Sequence, residues 1–447
     1  MKIHLLGVCG TFMAGIAIIS RQKGYEVSGS DKDFYPPISD LLEQEKIEVI
    51  SDYNVSKLKE EEIPDIFIVG NSMKRGMDNI EYILNNNLQY MSAPQFLYEY
   101  ILKDRHVIAV SGTHGKTTTT SMLSWIIHQN QHDVGFLIGG VSENFCTSAK
   151  LGTSPFFVIE ADEYDCAFFD KRSKFIHFKP KTLIINNIEF DHIDIFNSIE
   201  DIQKQFHNLI RSMASTAKII YREEEVITET IKKGCWSEKI VINKDNWNKQ
   251  DDSNDGTQNF CVFQGSEKKA EIKWDIIGDH NKENALSAIV AATAIGIDAQ
   301  AAANSLTSFL LPKKRLEKIY DNNQMKIYFD FAHHPTAISQ TIRSMKKVTK
   351  GNLIAILEPR SATMKSGFHT ETLKEALNKA DIRILYQPQN IKLSLKKYFQ
   401  DQNTVITENI DEIPKQVKLF INKNDTVIIM SNGSFEQVDK KIIRELS

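Results

Sequence analysis

Short apolar runs alternate with segments of helical periodicity along the first hundred residues. Strands are predicted at KIHLLGV (2–8), YEVSGSD (25–31) and DIFIVGNS (65–72), and a helix that ends at a glycine at TFMAGIAIISRQKG (11–24). Strands that alternate with helices favour a parallel sheet with helices packed on its faces. Residues 1–104 are therefore predicted to form a Rossmann-like α/β domain.

The alternation continues through the rest of the chain in two further units. Within 105–311 the strand predictions are HVIAV, FFVIEADE and TLIINNIE, and HNKENALSAIVAATAIGI predicts a closely packed helix. The polar stretch 243–259 predicts an exposed excursion from this unit. After Pro312 the pattern repeats, which predicts a second Rossmann-like domain over 312–447, with strands at KIYFDFA, NLIAILE, DIRILYQ and DTVIIMSNG.

Composition and charge narrow the class of protein. The chain has 447 residues, 41% of them hydrophobic and 25% charged, with a formal net charge of -4, so it has no basic footprint for nucleic acid. No uncharged apolar run reaches the length of about 18 residues that a membrane span needs. The cysteines form no C-x-x-C pair, so we expect reduced thiols in the cytoplasm. A monomer or a weak homo-oligomer is expected.

The strongest chemical signal is SGTHGKTT, which joins the predicted strand HVIAV to the next helix. Backbone amides at the start of a helix, together with the helix dipole, favour phosphate at such a turn. Lys116 is expected to reach the β- and γ-phosphates of a nucleotide, and the Thr117 hydroxyl to bind Mg²⁺. The spacing is G-x-x-G-K-T from Gly112, whereas the longer phosphate-loop motif needs a glycine at Val110. We predict that 105–311 contains the parallel sheet of a phosphate-loop ATPase.

Two acidic clusters follow further predicted strands of the same unit. They place carboxylates and one imidazole just past strand ends, where loops meet the ligand in an open α/β sheet. Oxygen ligands suit Mg²⁺, and histidine is a less usual partner. Each cluster alone fits a solvated or helix-capping turn better, but beside a phosphate loop both supply candidate metal ligands. The candidates are Glu160, Asp162 and Asp165 in VIEADEYD and Asp191, His192 and Asp194 in NNIEFDHIDIF.

The chain resembles the Mur ligase family of ATP-dependent amide-forming enzymes in six stretches that occur in this order: GTHGKTTT, EADEYD, NNIEFDH, HNKENAL, KKRLE and DFAHHP. The resemblance covers essentially the whole chain and agrees with three domains. It implies that the short phosphate loop is the family's own form. The implied activity joins a carboxylate to an amine, with ATP and Mg²⁺ as cofactors.

The resemblance also implies roles for the residues that match the family's motifs. Lys116, Glu160 and His192 would be catalytic. Thr117 would bind one Mg²⁺, and Glu160 with His192 a second. The residues implied to bind ATP are Gly112, Thr113, His114, Gly115, Lys116, Thr117, Thr118, Asn281, Asn284, Arg315, Asp330 and His333. The arginine and the aspartate of this set would reach ATP only when the C-terminal domain closes.

One position departs from several branches of the family, which carry a carbamylated lysine where this chain has Phe206. The polar residues near it are Lys204 and His207. This is similar to the branch that acts directly on UDP-N-acetylmuramate, and it leaves the third ligand of the second metal open.

Four longer stretches resemble one branch in particular: YPPISDLLEQ, GNSMKRGMDNIEYILN, ADEYDCAFFDKRSKFIHF and EPRSATMKSG. That branch joins UDP-N-acetylmuramate to a murein tripeptide, L-alanyl-γ-D-glutamyl-meso-diaminopimelate, which is recovered from old cell wall. The alternative within the family is a ligase that adds free L-alanine to UDP-N-acetylmuramate.

The peptide substrate carries several carboxylates and needs cations. Arg360 in EPRSATMK follows the predicted strand NLIAILE, where such a ligand would dock, and Lys365 is a second candidate. An ion pair between Arg360 and a surface acid is an equally good interpretation.

The first turn, GVCGTFMAG, lacks the G-x-G-x-x-G spacing of dinucleotide-binding domains, because Cys9 and Phe12 stand at its second and third positions. This disfavours a nucleotide-dependent oxidoreductase. The turn still places amides at a helix N-terminus, where a pyrophosphate is the natural ligand. With the resemblance, that ligand becomes the UDP of the substrate, and the ATP site lies elsewhere. The expected contacts are Gly7, Gly10, Thr11, Phe12, Met13, Asp31, Asn71 and Ser72.

A non-catalytic nucleotide-binding switch is the remaining alternative. The acid and histidine clusters, with Arg315 and Asp330 from a third domain, are more than a switch needs.

Overall fold

The computed structural model describes residues 1–446 apart from 33, 35, 37, 54–62, 252–257, 323–324 and 390–393. It contains three large sheets, and each lies wholly within one of the three predicted domains. The prediction of an α/β protein with parallel sheets is confirmed.

The N-terminal sheet has five parallel strands in the order β3-β2-β1-β4-β5. The first apolar run forms its central strand, where Leu5 and Leu6 are fully buried. A short π-helical turn, Tyr98–Leu102, leads out of the domain. Its elements are β1 (Lys2–Leu6), α1 (Thr11–Gln22), β2 (Glu26–Asp31), α2 (Ile38–Gln44), β3 (Glu48–Ser51), β4 (Ile66–Val69), α3 (Asp78–Asn85), β5 (Tyr90–Ser92) and α4 (Ala93–Leu97).

The central sheet has ten strands in the order β17-β16-β15-β14-β13-β12-β6-β9-β7-β8. Its elements are β6 (His106–Ser111), α5 (Lys116–Gln129), β7 (Gly135–Ser142), β8 (Thr147–Lys150), β9 (Phe156–Glu160), β12 (Thr182–Ile185), α6 (Ile199–Ser212), β13 (Lys218–Arg222), α7 (Glu225–Lys232), β14 (Glu238–Ile242), β15 (Trp247–Asp251), β16 (Phe260–Gln264), β17 (Glu267–Ile272), α8 (Asp279–Ala294) and α9 (Ala299–Leu306). A separate hairpin, β10 (Asp165–Ala167) with β11 (Asp170–Ser173), leads into a short 3₁₀ helix, Lys174–Phe178.

The middle of this sheet is parallel, as predicted. The neighbouring strands β12, β6 and β9 run in the same direction, so their carboxyl ends lie along one edge of the sheet. Because the two acidic clusters and the phosphate loop follow these three strands, they meet at that edge.

The prediction of an exposed excursion over 243–259 is wrong for residues 247–249, which are buried or half-buried in β15, a strand that pairs antiparallel with β16, whereas residues 244–246 and 250–251 are exposed as predicted. Trp247 is buried in the central core, and backbone pairing with β16 satisfies polar groups that the composition alone suggested were solvated. Residues 252–257 of that stretch lie outside the described residues.

The C-terminal sheet has six strands in the order β18-β19-β23-β20-β21-β22, and only β18 is antiparallel to its neighbour. Two 3₁₀ turns, Ile410–Glu412 and Phe435–Gln437, complete the domain. Its elements are β18 (Glu317–Asp321), β19 (Lys326–Asp330), α10 (Pro335–Val348), β20 (Leu353–Leu357), α11 (Ala362–Ser366), α12 (Thr370–Leu377), β21 (Ile382–Tyr386), α13 (Leu395–Tyr398), β22 (Thr404–Thr407), α14 (Ile413–Phe420), β23 (Thr426–Met430) and α15 (Val438–Leu446).

The C-terminal domain is docked on the central one through specific polar contacts. Thr336 Oγ1 donates to Glu189 at 2.6 Å, and Thr363 Oγ1 donates to Asp191 at 2.7 Å. Phe190 packs against Phe368 with ring centroids 5.0 Å apart. The arrangement is therefore closed at the edge where the acidic clusters lie.

No helix in the described part of the chain is long and apolar enough to cross a membrane.

Candidate active site

The phosphate loop joins β6 to α5. Gly115 adopts φ +78°, a left-handed backbone that glycine tolerates, and this starts the helix at Lys116. The Lys116 ammonium bends back and donates to the carbonyl of Gly112 at 2.6 Å. The loop thus presents a cation and a helix N-terminus to the same space, as its sequence predicted.

Around Lys116 lies a cluster of charged side chains, of which Glu163 is buried and the others are half-buried. Lys116 Nζ is 3.5 Å from Glu163 Oε2 and 3.9 Å from Asp162 Oδ1. Burial would lower the pKa of Lys116, but the carboxylates, led by Glu163 and Asp162, raise it above its ordinary value. The ammonium therefore stays charged beside the loop.

His192 belongs to the same cluster, with Nε2 at 3.2 Å from Glu163 Oε1. Burial would lower its pKa, but the hydrogen bond and charge of Glu163 raise it above the ordinary value. His192 also adopts φ +59°, an uncommon backbone for a residue with a side chain, and such strain is frequent at functional sites.

Asp162, Glu163 and His192 each offer one ligand atom, and these atoms lie within 4.8 Å of one another. Two carboxylates and one imidazole form a donor set that fits a divalent cation, with oxygen donors suited to Mg²⁺. The resemblance had implied that Glu160, and not Glu163, shares the second Mg²⁺ with His192, while Asp162 was already a candidate ligand from its place after a strand.

Glu160 lies at the end of β9 and points to β7, where its Oε2 accepts the backbone N–H of Gly139 at 2.7 Å. A Cβ built on Gly139 would lie 2.6 Å from both carboxylate oxygens, so glycine is required for this approach. Glu160 lines the same cleft as the phosphate loop.

The C-terminal domain contributes three of the predicted residues to this cleft. Arg315 Nη2 donates to the Thr117 hydroxyl at 3.1 Å and its guanidinium lies 4.3 Å from the centre of the Phe331 ring. Asp330 is held by the backbone N–H groups of Leu316 and Ala332. Burial lowers the pKa of His333 to about 4, so its imidazole is neutral near pH 7.

The other predicted ATP residues line the same cleft except Gly112, whose carbonyl accepts the Lys116 hydrogen bond. Asn281 and Asn284 are buried at the start of α8, facing the phosphate loop. The structure therefore brings the residues of this predicted set together.

A second histidine group joins the two domains beside this cleft. His114 Nε2 is 3.2 Å from His334 Nδ1, and both nitrogens lie about as close to Glu189 Oε2, at 3.5 and 3.4 Å. Burial and the neighbouring His114 lower the pKa of His334 to about 4. Burial would raise the pKa of Glu189, but the hydrogen bond and charge of His114, together with the hydrogen bond from Thr336, lower it to about 2.

The N-terminal domain forms a separate cleft at the first turn. All eight residues predicted to bind UDP line it, together with Cys9, Lys32, Tyr53, Gly70, Met73, Met77, Ala93, Pro94, Cys166 and Lys174. Asp31 Oδ2 accepts the backbone N–H of Cys9 at 2.8 Å, and Asn71 Nδ2 donates to Asp165 at 3.1 Å. Asp31 thus braces the turn, and Asn71 ties the domain to the β10–β11 hairpin.

The predicted peptide-binding residues lie outside both clefts. Arg360 is 47% exposed, with Nη1 at 4.0 Å from Glu358 Oε1, and it packs against Gly433. Lys365 is exposed on α11. A third cleft is lined by Tyr164, Asp191, His192 and Asp194 of the central domain and by His333, Ser361, Ala362, Thr363 and Asn432 of the C-terminal domain.

Phe206, at the position of the family's lysine, is buried and packs against Phe175 with ring centroids 5.2 Å apart. Lys204 is exposed, and His207 lies near Gly234, where its Nε2 has no partner among the described atoms. None of the three supplies a ligand to the Asp162–Glu163–His192 cluster.

Sequence reasoning missed three residues of the site. Glu163 stands in EADEYD among three acids that were selected, and only its through-space contacts with Lys116 and His192 set it apart. Glu189 stands in NNIEFDH, and Lys174 stands in ADEYDCAFFDKRSKFIHF, a stretch used for the resemblance to one branch but given no residue roles beyond its acids. The sequence did carry a signal for Glu163 and Glu189, because both lie in the acidic stretches that follow predicted strands.

The geometry agrees with comparisons to known proteins. Three family models match: Mur ligase family, catalytic domain, over residues 2–105; Mur ligase middle domain over 110–292; and Mur ligase, glutamate ligase domain, over 314–433. A Haemophilus influenzae protein named UDP-N-acetylmuramate–L-alanyl-gamma-D-glutamyl-meso-2,6-diaminoheptandioate ligase is 46% identical over 450 residues, which cover 99% of each chain. The chain belongs to the Mur ligase family.

Two further comparisons place this Mur ligase within the family. The crystal structure of a murein peptide ligase from Psychrobacter arcticus is 41% identical, covers 100% of this chain and 98% of its own, and has a TM-score of 0.76. A UDP-N-acetylmuramate–L-alanine ligase of Dictyoglomus turgidum is 26% identical over 461 residues, which cover 99% of this chain and 96% of that protein. Identity is thus higher to the relatives named for a peptide than to the one named for alanine.

Proposed function

We propose that this Mur ligase joins UDP-N-acetylmuramate to the tripeptide L-alanyl-γ-D-glutamyl-meso-diaminopimelate, with ATP converted to ADP and phosphate. The observation that carries the activity is the meeting of a phosphate loop, a carboxylate cluster and Arg315 in one cleft. The full-length relative at 46% identity supports this choice of substrates.

The main electrostatic obstacle is the approach of a carboxylate to the γ-phosphate, since both are anions. Lys116 and Arg315 supply positive charge on either side of Thr117, and closure of the C-terminal domain brings the arginine there. Positioning and charge neutralisation dominate catalysis of phosphoryl transfer. Asp162, Glu163 and His192 would hold Mg²⁺, which would neutralise further charge on the phosphates.

The chemistry then takes two steps. The lactyl carboxylate oxygen attacks the γ-phosphorus, the bond to the β-phosphate oxygen breaks, and an acyl phosphate and ADP form. The tripeptide's amine attacks the acyl carbon, phosphate leaves, and the nitrogen loses a proton as the amide forms.

The amine has a route into the site through the third cleft, which runs from Ser361 to His192. Arg360 directly precedes Ser361, which lines this cleft, and would pair with a carboxylate of the peptide. The same guanidinium is 4.0 Å from Glu358, so a purely structural pairing remains the competing account.

The direct experiment supplies purified protein with UDP-N-acetylmuramate, ATP, Mg²⁺ and either the tripeptide or L-alanine. We expect ADP release that depends on the tripeptide, and a product whose mass equals both substrates less one water. ADP release that depends on alanine instead would assign the protein to the alanine-adding branch.

The variant Arg360→Ala tests the peptide site: we expect a raised KM for the tripeptide with the KM for ATP unchanged.

A further inference from the structure

Lys174 lies where the N-terminal cleft and the central cleft meet. It lines the N-terminal cleft together with Phe12 and Cys166. Its Nζ is 3.3 Å from Oδ2 of Asp162, and Asp162 lines the cleft of the phosphate loop. One ammonium group therefore contacts both clefts.

The fold holds this lysine in place. It follows the β10–β11 hairpin, and its backbone N–H donates to the carbonyl of Tyr164 at 2.8 Å. Its ammonium lies 5.5 Å from the centre of the Phe12 ring and 5.6 Å from that of Tyr164, so two aromatic faces flank it. The next residue, Phe175, is fully buried. The side chain is thus only 16% exposed and directed to the junction.

The charges at the junction leave Lys174 with capacity for a second anion. An ammonium group has three N–H donors, and among the described residues Asp162 is its one hydrogen-bond acceptor. Lys116 also approaches Asp162, at 3.9 Å, but lies closer to Glu163. The Asp162 carboxylate therefore lies between two ammonium groups, with Lys174 the nearer of the two at 3.3 Å.

We propose that Lys174 forms a carboxylate-binding subsite that receives the acyl carboxylate of the sugar nucleotide and hands it to the phosphate loop. The inference rests on the proposed function, because only a substrate bound in the N-terminal cleft and activated in the central cleft must cross this junction. Asp162 holds the ammonium at the junction, and the incoming carboxylate uses its remaining donors. Lys174 is thereby a specificity-determining residue, since it distinguishes a sugar nucleotide that carries the acid from one that lacks it.

Two sugar nucleotides that differ only in the lactyl group, which carries the carboxylate, provide the test. UDP-N-acetylglucosamine has the same nucleotide and sugar as UDP-N-acetylmuramate but no lactyl carboxylate. Calorimetric titration of the full-length protein and of Lys174→Met with each ligand, without ATP, isolates the contact. We expect the substitution to weaken binding of UDP-N-acetylmuramate roughly tenfold or more, and binding of the second ligand by less than about twofold.

The matched control is Lys171→Met on the same hairpin, where the lysine pairs with Asp165 at 2.6 Å and is largely exposed. It should leave both affinities unchanged, and Lys174→Arg should restore most of the lost affinity. Equal weakening of both ligands by Lys174→Met would mean that the lysine binds the diphosphate or only supports the fold, and would overturn the proposal. If the unaltered protein binds neither sugar nucleotide, the proposed function itself fails, and that outcome is distinct.

Discussion

The two large clefts of this protein are built in opposite ways. The central cleft is made from side chains of two domains, and its charged groups are buried or half-buried and paired with one another, as in Lys116, Glu163 and His192. The N-terminal cleft is made mainly from one domain, from a backbone turn with apolar side chains and a few separate polar ones such as Asp31 and Asn71, and Cys166 and Lys174 enter it from the central domain.

This difference separates two kinds of recognition. Buried, paired charges are costly to disturb and strengthen electrostatic effects on a reacting group. Backbone amides at a helix N-terminus bind an anion without needing any one side chain. Substitutions in the central cleft should therefore change the rate, and substitutions in the N-terminal cleft should change the affinity for the sugar nucleotide.

The largest expected effect comes from Lys116→Met. Loss of a charge that stabilises the transferred phosphoryl group should lower kcat roughly 10²–10³-fold. Affinity for UDP-N-acetylmuramate, measured by calorimetry, should stay within about twofold, because the lysine lies outside the N-terminal cleft. Similar loss of affinity for both substrates would break the comparison between the clefts.

Glu163→Gln should have the next largest effect. The variant removes the carboxylate shared by Lys116 and His192 and leaves both cations less compensated, which typically costs about 3–5 kcal/mol when a buried pair is broken. We expect a lower melting temperature, a lower kcat and a fall in the pKa of His192, measured by NMR titration. Asp194→Asn is the control, because the Tyr164 hydroxyl is the one hydrogen-bond partner of Asp194 among the hydrogen bonds described. An unchanged pKa of His192 in Glu163→Gln would contradict the pairing of Glu163 with His192.

Acidification should loosen the interface between the central and C-terminal domains. Burial holds the pKa values of His333 and His334 at about 4, below the ordinary 6.5, so neutral histidines favour docking above about pH 6.5. This favourable contribution to the free energy of docking is lost as pH falls from about 6.5 to about 4. For buried His334 the loss amounts to about 1–2 kcal/mol at about pH 5.

Small-angle scattering should therefore show a larger radius of gyration at about pH 5 than at about pH 7.5. The double variant His333→Asn/His334→Asn should show a smaller change. His4 is the matched control, because burial lowers its pKa to about 4 as well, yet it lies in β1 and bonds to Ser28 and Ser30. A scattering change that depends on His4 and not on the two interface histidines would refute this account.

Gly139→Ala should lower kcat several-fold by moving one carboxylate. Its Cβ would lie 2.6 Å from the Glu160 oxygens, so the carboxylate must leave the Gly139 N–H. Gly140→Ala provides a close comparison, because there the nearest atom, in Thr117, is 3.4 Å away. Steady-state kinetics of the two variants should differ; if both behave alike, Glu160 acts only as support for β7.

Asp31→Asn should give the smallest effect. The carboxylate braces the first turn through the Cys9 N–H, and its loss should weaken UDP-N-acetylmuramate binding by a few-fold while kcat stays the same. Calorimetry and kinetics together check this expectation. A reduced kcat with unchanged affinity would reverse the proposed division between the clefts.

Much of the fold was predictable because the signals are local. Apolar runs such as HVIAV and NLIAILE are long enough to identify buried strands, and the glycine turn before Lys116 specifies a helix start. The antiparallel strand at 247–251 was missed, because its residues are polar and the signal lies in its pairing with 260–264.

The sequence by itself determined the main buried strands of each domain, the phosphate loop and which polar residues follow strand ends, since these depend on periodicity and on residues close along the chain. Only the tertiary structure decided that Glu163, rather than Glu160, pairs with Lys116 and His192, and that Lys174 contacts both clefts. Such choices depend on distances between separate elements. Those distances are set by how strands pair and domains dock, which no local pattern encodes.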